Sequence, residues 1–179
     1  VDELSAIPLI TDYYMKYKDD KHTAIVSPDH GGVNRARRIA EKLNLPIIII
    51  DKRRTGPNVA EVMNVIGNVK GMNCIMIDDM IDTGGSCSAG ARVLKENGAK
   101  SVKIACTHGV FSSPAEDRIL NDVFDEIVTT NSIPLQDKMK NPVVKVLSVG
   151  PMLAKVIENI ELGEAVSNVY TAMFGNPSK

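Results

Sequence analysis

Residues 74–90, CIMIDDMIDTGGSCSAG, set three carboxylates beside a glycine turn. Asp78 and Asp79 end an apolar run, Asp82 follows three positions later, and Thr83, Gly84, Gly85 and Ser86 lead into a segment with helical spacing. Ionised carboxylates accept hydrogen bonds and do not donate them, so an adjacent pair suits vicinal hydroxyls or a divalent cation. The next five residues suit an anion. Two glycines permit close backbone approach, the first amides of a helix point outward, and Thr83 and Ser86 add hydroxyl donors. A sugar with hydroxyls at one end and a phosphate at the other satisfies both halves, so a ribose phosphate is the candidate ligand. Asp-Thr-Gly-Gly-Ser taken alone has another reading, an ordinary turn in which Asp82 or Thr83 caps the helix.

A second group of residues is cationic. Lys52, Arg53 and Arg54 lie at the start of DKRRTGPNVAEVMNVIGNVKG, residues 51–71, which reads as a long irregular stretch because Gly56 and Pro57 interrupt any early helix. Lys52 offers a compact charge and Arg54 a planar fork able to grip two oxygens; Arg53 is expected to face water. The alternative for such a run is a solvated charged face. Asp29, before Gly31-Gly32, is a lone carboxylate and so more often a helix cap than a metal ligand.

His22, His30 and His108 stand at no spacing that suggests zinc or a Ser/His/Asp set. His108 either lines the sugar pocket or makes a structural hydrogen bond. Arg35, Arg37 and Arg38 read as surface or subunit-contact charges, and Met63, Met76 and Met80 as core filler. No GxxxxGK[ST] phosphate loop occurs.

These residues need a frame. Apolar runs at 23–27, 46–51, 74–79, 102–108, 126–130 and 143–149 stay apolar instead of alternating, which predicts strands covered on both faces and therefore a parallel sheet. Between them, 32–44 and 86–97 have helical spacing, Gly98 ends the second, and Pro114 and Pro151 stand where first helical turns would begin. The alternation predicts an α/β fold with a mostly parallel sheet flanked by helices. In such sheets ligands settle beyond the carboxyl ends of the strands, where Asp29, Asp78 and Asp79 fall.

The chain has 179 residues, enough for one domain with a sizeable core. With 21 basic against 22 acidic residues it is not a globally basic nucleic-acid binder. Cys74, Cys87 and Cys106 form no CxxC pair and read as buried thiols in a reducing compartment. No apolar run approaches the roughly 20 residues that cross a bilayer, and no leader-like segment opens the chain, so a cytoplasmic protein is expected. VDELSAIPLITDYY, with no initiator Met, reads like the middle of a longer chain.

IMIDDMIDTGGS resembles the phosphoribosyl-pyrophosphate (PRPP) binding signature of type I phosphoribosyltransferases and of ribose-phosphate pyrophosphokinases, the PRPP synthetases. Further stretches resemble the synthetases: VSPDHGGVNRAR at 26–37, DKRRTGPNVAEVMNVIG at 51–67, THGVFSSPA at 107–115 and TTNSIPL at 129–135. The likeness spans essentially the whole chain, 1–179, as a single phosphoribosyltransferase-like domain matching the C-terminal half of the family's two-copy pattern.

The resemblance implies transfer of the β,γ-diphosphate of ATP to the C1 hydroxyl of ribose 5-phosphate with Mg2+, giving PRPP and AMP. Asp78 and Asp79 would hold ribose hydroxyls, and Asp82, Thr83, Gly84, Gly85 and Ser86 the 5-phosphate. Lys52 and Arg54 would be catalytic, Arg54 also touching substrate, and Asp29 would bind magnesium. It further implies a partner N-terminal half, like subunits assembled as hexamers, and regulation by ADP and phosphate, with Ser167 in ELGEAVSNVY, residues 161–170, a candidate phosphate contact. Ser86 replaces the family's commoner Thr and keeps the donor, whereas Thr55-Gly56 replaces a stiffer Pro-containing stretch. Two rival readings are a phosphoribosyltransferase that consumes PRPP and a non-catalytic regulatory or scaffold subunit.

Overall fold

A computed structural model describes residues 3–53, 62–121 and 123–174. Seven strands form one sheet: β1 Thr23–Ser27, β2 Ile47–Arg53, β3 Val62–Ile66, β4 Asn73–Ile81, β5 Ser101–Gly109, β6 Glu126–Thr130 and β7 Val144–Leu147. Their spatial order is β3-β2-β1-β4-β5-β6-β7, with every pairing parallel except β2 against β3. All six expected strands are present. The seventh corrects the reading of 51–71 as irregular: β2 runs on through Lys52 to Arg53, and β3 folds back antiparallel to it. β3 is an edge strand covered on one side, with Met63 and Val65 partly buried and Asn64 and Ile66 exposed, so it lacks the continuous apolar run of its neighbours.

Alternation along β4 shows how the sheet is covered. Cys74 and Met76 enter one core and Ile75 and Ile77 the other. The helices α1 Ile7–Tyr13 and α2 Val33–Leu43 lie over the second face, with Ile10, Ala36, Ile39 and Leu43 buried there. Over the first face lie α3 Gly85–Glu96, through Cys87, Ala91 and Leu94, and the short α4 Ala115–Ile119. Asn44, in the left-handed region at φ 52°, ends α2, and Gly98 at φ +90° follows α3.

Two further helices, α5 Gly150–Glu161 and α6 Asn168–Phe174, pack around Met152, Val156 and Val169. The Ser5 N–H donates to the Tyr170 hydroxyl at 2.6 Å and ties α6 to the segment before α1. Leu153, Ile157, Ile160 and Leu162 leave an exposed apolar stripe on and just after α5. Among the described residues no helix is long and apolar enough to cross a membrane, and all three cysteines are buried free thiols.

From β1 the chain moves outward to β2 and β3, then returns to lay β4 on the other side of β1. That reversal opens a crevice between the ends of β1 and β4. The β1–β4 pairing stops at Val26 and Met76, whereas β4 stays paired with β5 as far as Ile81 and Gly109. Asp78 and Asp79 are therefore held by β5 on one side and open to the crevice on the other. They lie within the strand, which runs on to Ile81, two residues past its expected end at Asp79.

Candidate functional site

The β4–α3 corner has no side-chain cap. Neither Asp82 nor Thr83 closes the helix, so the ordinary capped turn is not what forms here. Gly84 stands at the helix start with φ +71°, a conformation that favours glycine, and a Cβ added there would fall 2.6 Å from Ile119 Cγ2. Both backbone and packing therefore require glycine at this position. A cleft of about 190 Å3 is lined by Asp78, Met80 and the run from Ile81 to Cys87, which includes Asp82, Thr83, Gly84, Gly85 and Ser86. Uncapped amides at the start of a 12-residue helix facing such a cleft suit an anion.

Beside the turn, Asp78 and Asp79 are fixed by several donors. The Asp79 N–H donates to Asp78 Oδ1 at 2.9 Å, and the Met80 N–H to Asp79 Oδ1 at 2.8 Å. Arg35 reaches over from α2, with Nη1 donating to Asp78 Oδ1 at 3.3 Å and Nη2 to Asp79 Oδ2 at 2.9 Å. This corrects the reading of Arg35 as a surface or subunit-contact charge. The two carboxyls titrate apart. Burial, reinforced by the neighbouring Asp79 charge, pushes Asp78 up to about 6. Burial also works against ionisation of Asp79, but the Arg35 guanidinium and the hydrogen bonds to its carboxylate outweigh it and keep that group below the usual range.

Across the crevice, the β1–α2 turn makes two hydrogen bonds of its own. Asp29 Oδ1 accepts the Gly32 N–H at 2.8 Å, and the Ser27 hydroxyl donates to the Asp29 carbonyl at 2.7 Å. His30 Nε2 and Asp51 Oδ1 lie 2.9 Å apart, which ties this turn to β2. Among the described residues no group of three or more His, Cys, Asp or Glu could hold a metal by itself. Asp29 thus fits Mg2+ only as one ligand of a set completed by phosphates, water or other chain segments.

The extension of β2 carries Lys52 to the glycine turn, where its Nζ donates to Ser86 Oγ at 2.6 Å. Arg54 lies outside the described residues. Arg118, on α4, donates from Nη1 to the Thr83 carbonyl at 3.2 Å, and a Cβ on Gly85 would come 3.2 Å from the same nitrogen. Sequence reasoning missed this second cation at the turn, since nothing in AEDRI separates Arg118 from a solvated helix charge. His108 has the structural partner, with Nδ1 2.9 Å from Ser132 Oγ, and does not line the cleft. Ser167 is exposed in the turn before α6 and does not line it either.

A mostly parallel sheet carrying an acid pair near the end of one strand and an uncapped glycine turn at its reversal point defines the type I phosphoribosyltransferase-like class. The structure matches that of phosphoribosylpyrophosphate synthetase from Mycobacterium smegmatis with a TM-score of 0.83 and 38% identity, covering 91% of this chain and 53% of that one. Purine phosphoribosyltransferase from Pyrococcus horikoshii matches with a TM-score of 0.50 and 27% identity over 60% of this chain and 73% of that one. In sequence, the chain is 48% identical over 171 residues to the ribose-phosphate pyrophosphokinase of Bacillus subtilis (strain 168), covering 96% of this chain and 54% of the relative. The model of the phosphoribosyl synthetase-associated domain matches residues 53–171. The chain belongs to that family and is a homologue of the ribose-phosphate pyrophosphokinases. It spans about half the length of the curated relatives it matches.

Proposed function

We propose that the chain is the C-terminal half of a ribose-phosphate diphosphokinase, transferring the β,γ-diphosphate of ATP to the C1 hydroxyl of ribose 5-phosphate. The observation that carries this reading is the Lys52–Ser86 contact of 2.6 Å, which joins a cationic strand end to the phosphate-type turn. Asp78 and Asp79 accept hydrogen bonds from the ribose hydroxyls. Asp82, Thr83, Gly84, Gly85 and Ser86 surround the 5-phosphate and orient the sugar. Lys52, with Arg54, offsets charge that develops on the transferred phosphoryl oxygens, because catalysis of this kind is mostly positioning and cationic stabilisation. Mg2+, with Asp29 as one ligand, neutralises phosphate charge when bound.

On this reading the other half of the site comes from an N-terminal half-domain and from like subunits, in a cytoplasmic homo-oligomer of hexameric type. The test is AMP formation from ATP, Mg2+ and ribose 5-phosphate by this chain with and without an N-terminal half. AMP produced in the mixture supports the proposal. PRPP consumption with a nucleobase and no AMP would favour the phosphoribosyltransferase reading, and binding without turnover in either arm a scaffold subunit.

A further inference from the structure

Arg35 stands where a helix disfavours it. It is the third residue of α2, whose first turn contains no acid, and the outward amides there already carry the positive end of the helix dipole. Instead of turning to water, its guanidinium crosses the switch point to β4, and the side chain is only 25% exposed. Its two prongs fall on different carboxylates, Asp78 Oδ1 at 3.3 Å and Asp79 Oδ2 at 2.9 Å. A Cβ on Gly32 would lie 3.6 Å from Nη1, so the guanidinium passes a residue that has no side chain. Two neighbouring carboxylates repel each other, and a planar fork is the cation whose shape bridges both.

From this geometry we propose that Arg35 is the positioning residue of the acid pair: it sets Asp78 and Asp79 side by side as one acceptor for a vicinal diol and so selects a ribose ester over its 2-deoxy counterpart. The inference rests on the ribose phosphate reading above. Backbone donors fix one oxygen of each carboxylate, from the Asp79 and Met80 N–H groups, and Arg35 supplies the bridge between the two. A diol that loses one hydroxyl leaves one of these acceptors without its donor, which is how a site built for hydroxyls rejects the analogue lacking one.

Calorimetric titration at pH 8 with ribose 5-phosphate, 2-deoxyribose 5-phosphate and inorganic phosphate tests this on the chain and on Arg35→Gln. The chain is expected to prefer the ribose ester by about 10-fold or more, and Arg35→Gln to bring the two esters within about 3-fold while inorganic phosphate binds as before. Arg35→Lys keeps the charge but has one donor group to place, so it should retain the fold and lose most of the preference. An undiminished preference in either variant would overturn the role of Arg35. Failure of the unaltered chain to bind ribose 5-phosphate better than inorganic phosphate would overturn the ribose phosphate reading itself.

Discussion

The β1–α2 turn, Ser27 to Gly32, and the β4–α3 turn, Asp82 to Ser86, flank the same crevice and are written in similar residues: an aspartate, then two glycines, then a helix. They differ in where the hydrogen bonds go. In the first turn Asp29 accepts the Gly32 N–H and the Ser27 hydroxyl covers the Asp29 carbonyl, so two of its backbone groups are paired within the turn. In the second no side chain caps the helix, and Gly84 at φ +71° presents open backbone to a cleft. A strand end followed by Asp and Gly-Gly therefore does not by itself make an anion site. Neither helix start is capped by a side chain; the turns differ in that Asp29 takes the Gly32 N–H of the first, whereas the glycine turn of the second lines a cleft.

Exchanging glycine for alanine in each turn breaks this comparison with the largest effect. Gly84→Ala adds a Cβ 2.6 Å from Ile119 Cγ2 in a left-handed conformation. Strain and overpacking together should cost about 2–5 kcal/mol and abolish ribose 5-phosphate binding. Gly32→Ala, at φ −81° with its added Cβ 3.1 Å from the Ser27 hydroxyl, needs that group to shift by only a few tenths of an ångström and should cost less, about 1 kcal/mol. Chemical denaturation of both variants checks the pair, and equal losses would contradict the distinction between the turns.

The next effect concerns the sign of a pH dependence. Asp78 titrates at about 6 in the folded chain against an ordinary 3.8, so the folded state binds this proton more tightly than the unfolded chain. As pH rises from about 4 through 6, the ionised group costs stability instead of supplying it. Asp78→Asn removes that cost. It should raise stability at pH 8 by about 1–3 kcal/mol, lose the gain below pH 4, and weaken ribose 5-phosphate binding; thermal unfolding across pH is the measurement.

At a smaller scale, Asp29 separates a structural acceptor in the turn from a metal ligand. Asp29→Ala should lower stability by about 1 kcal/mol, whereas Asp29→Asn, which still accepts the Gly32 N–H, should keep the stability and lose Mg2+-dependent turnover in a competent assembly. Full turnover in Asp29→Asn would leave Asp29 as a structural acceptor alone. Smallest of all, Ser86→Ala removes one donor from the turn and the partner of Lys52. It should weaken ribose 5-phosphate binding less than about 10-fold by calorimetry.

Much of this arrangement was legible in the sequence because buried parallel strands stay apolar along their length. The runs 23–27 and 126–130 matched their strands end for end, and glycine and proline marked the helix starts and stops. β3 escaped because an edge strand needs only half its side chains apolar, and Asn64 breaks the run. Arg35 escaped for a different reason. Its partners stand 43 and 44 residues away, and only the reversal of strand order at β1 brings α2 beside β4. Side-chain chemistry local to a turn can be read from spacing, whereas contacts across a switch point depend on topology.

The position of a bound ribose ester is the most direct measurement. A crystal structure of the chain with ribose 5-phosphate should place the phosphate against the amides of residues 83–86 and the vicinal hydroxyls on Asp78 and Asp79. A sugar bound at any other surface, with that turn left empty at saturating ligand, would contradict it.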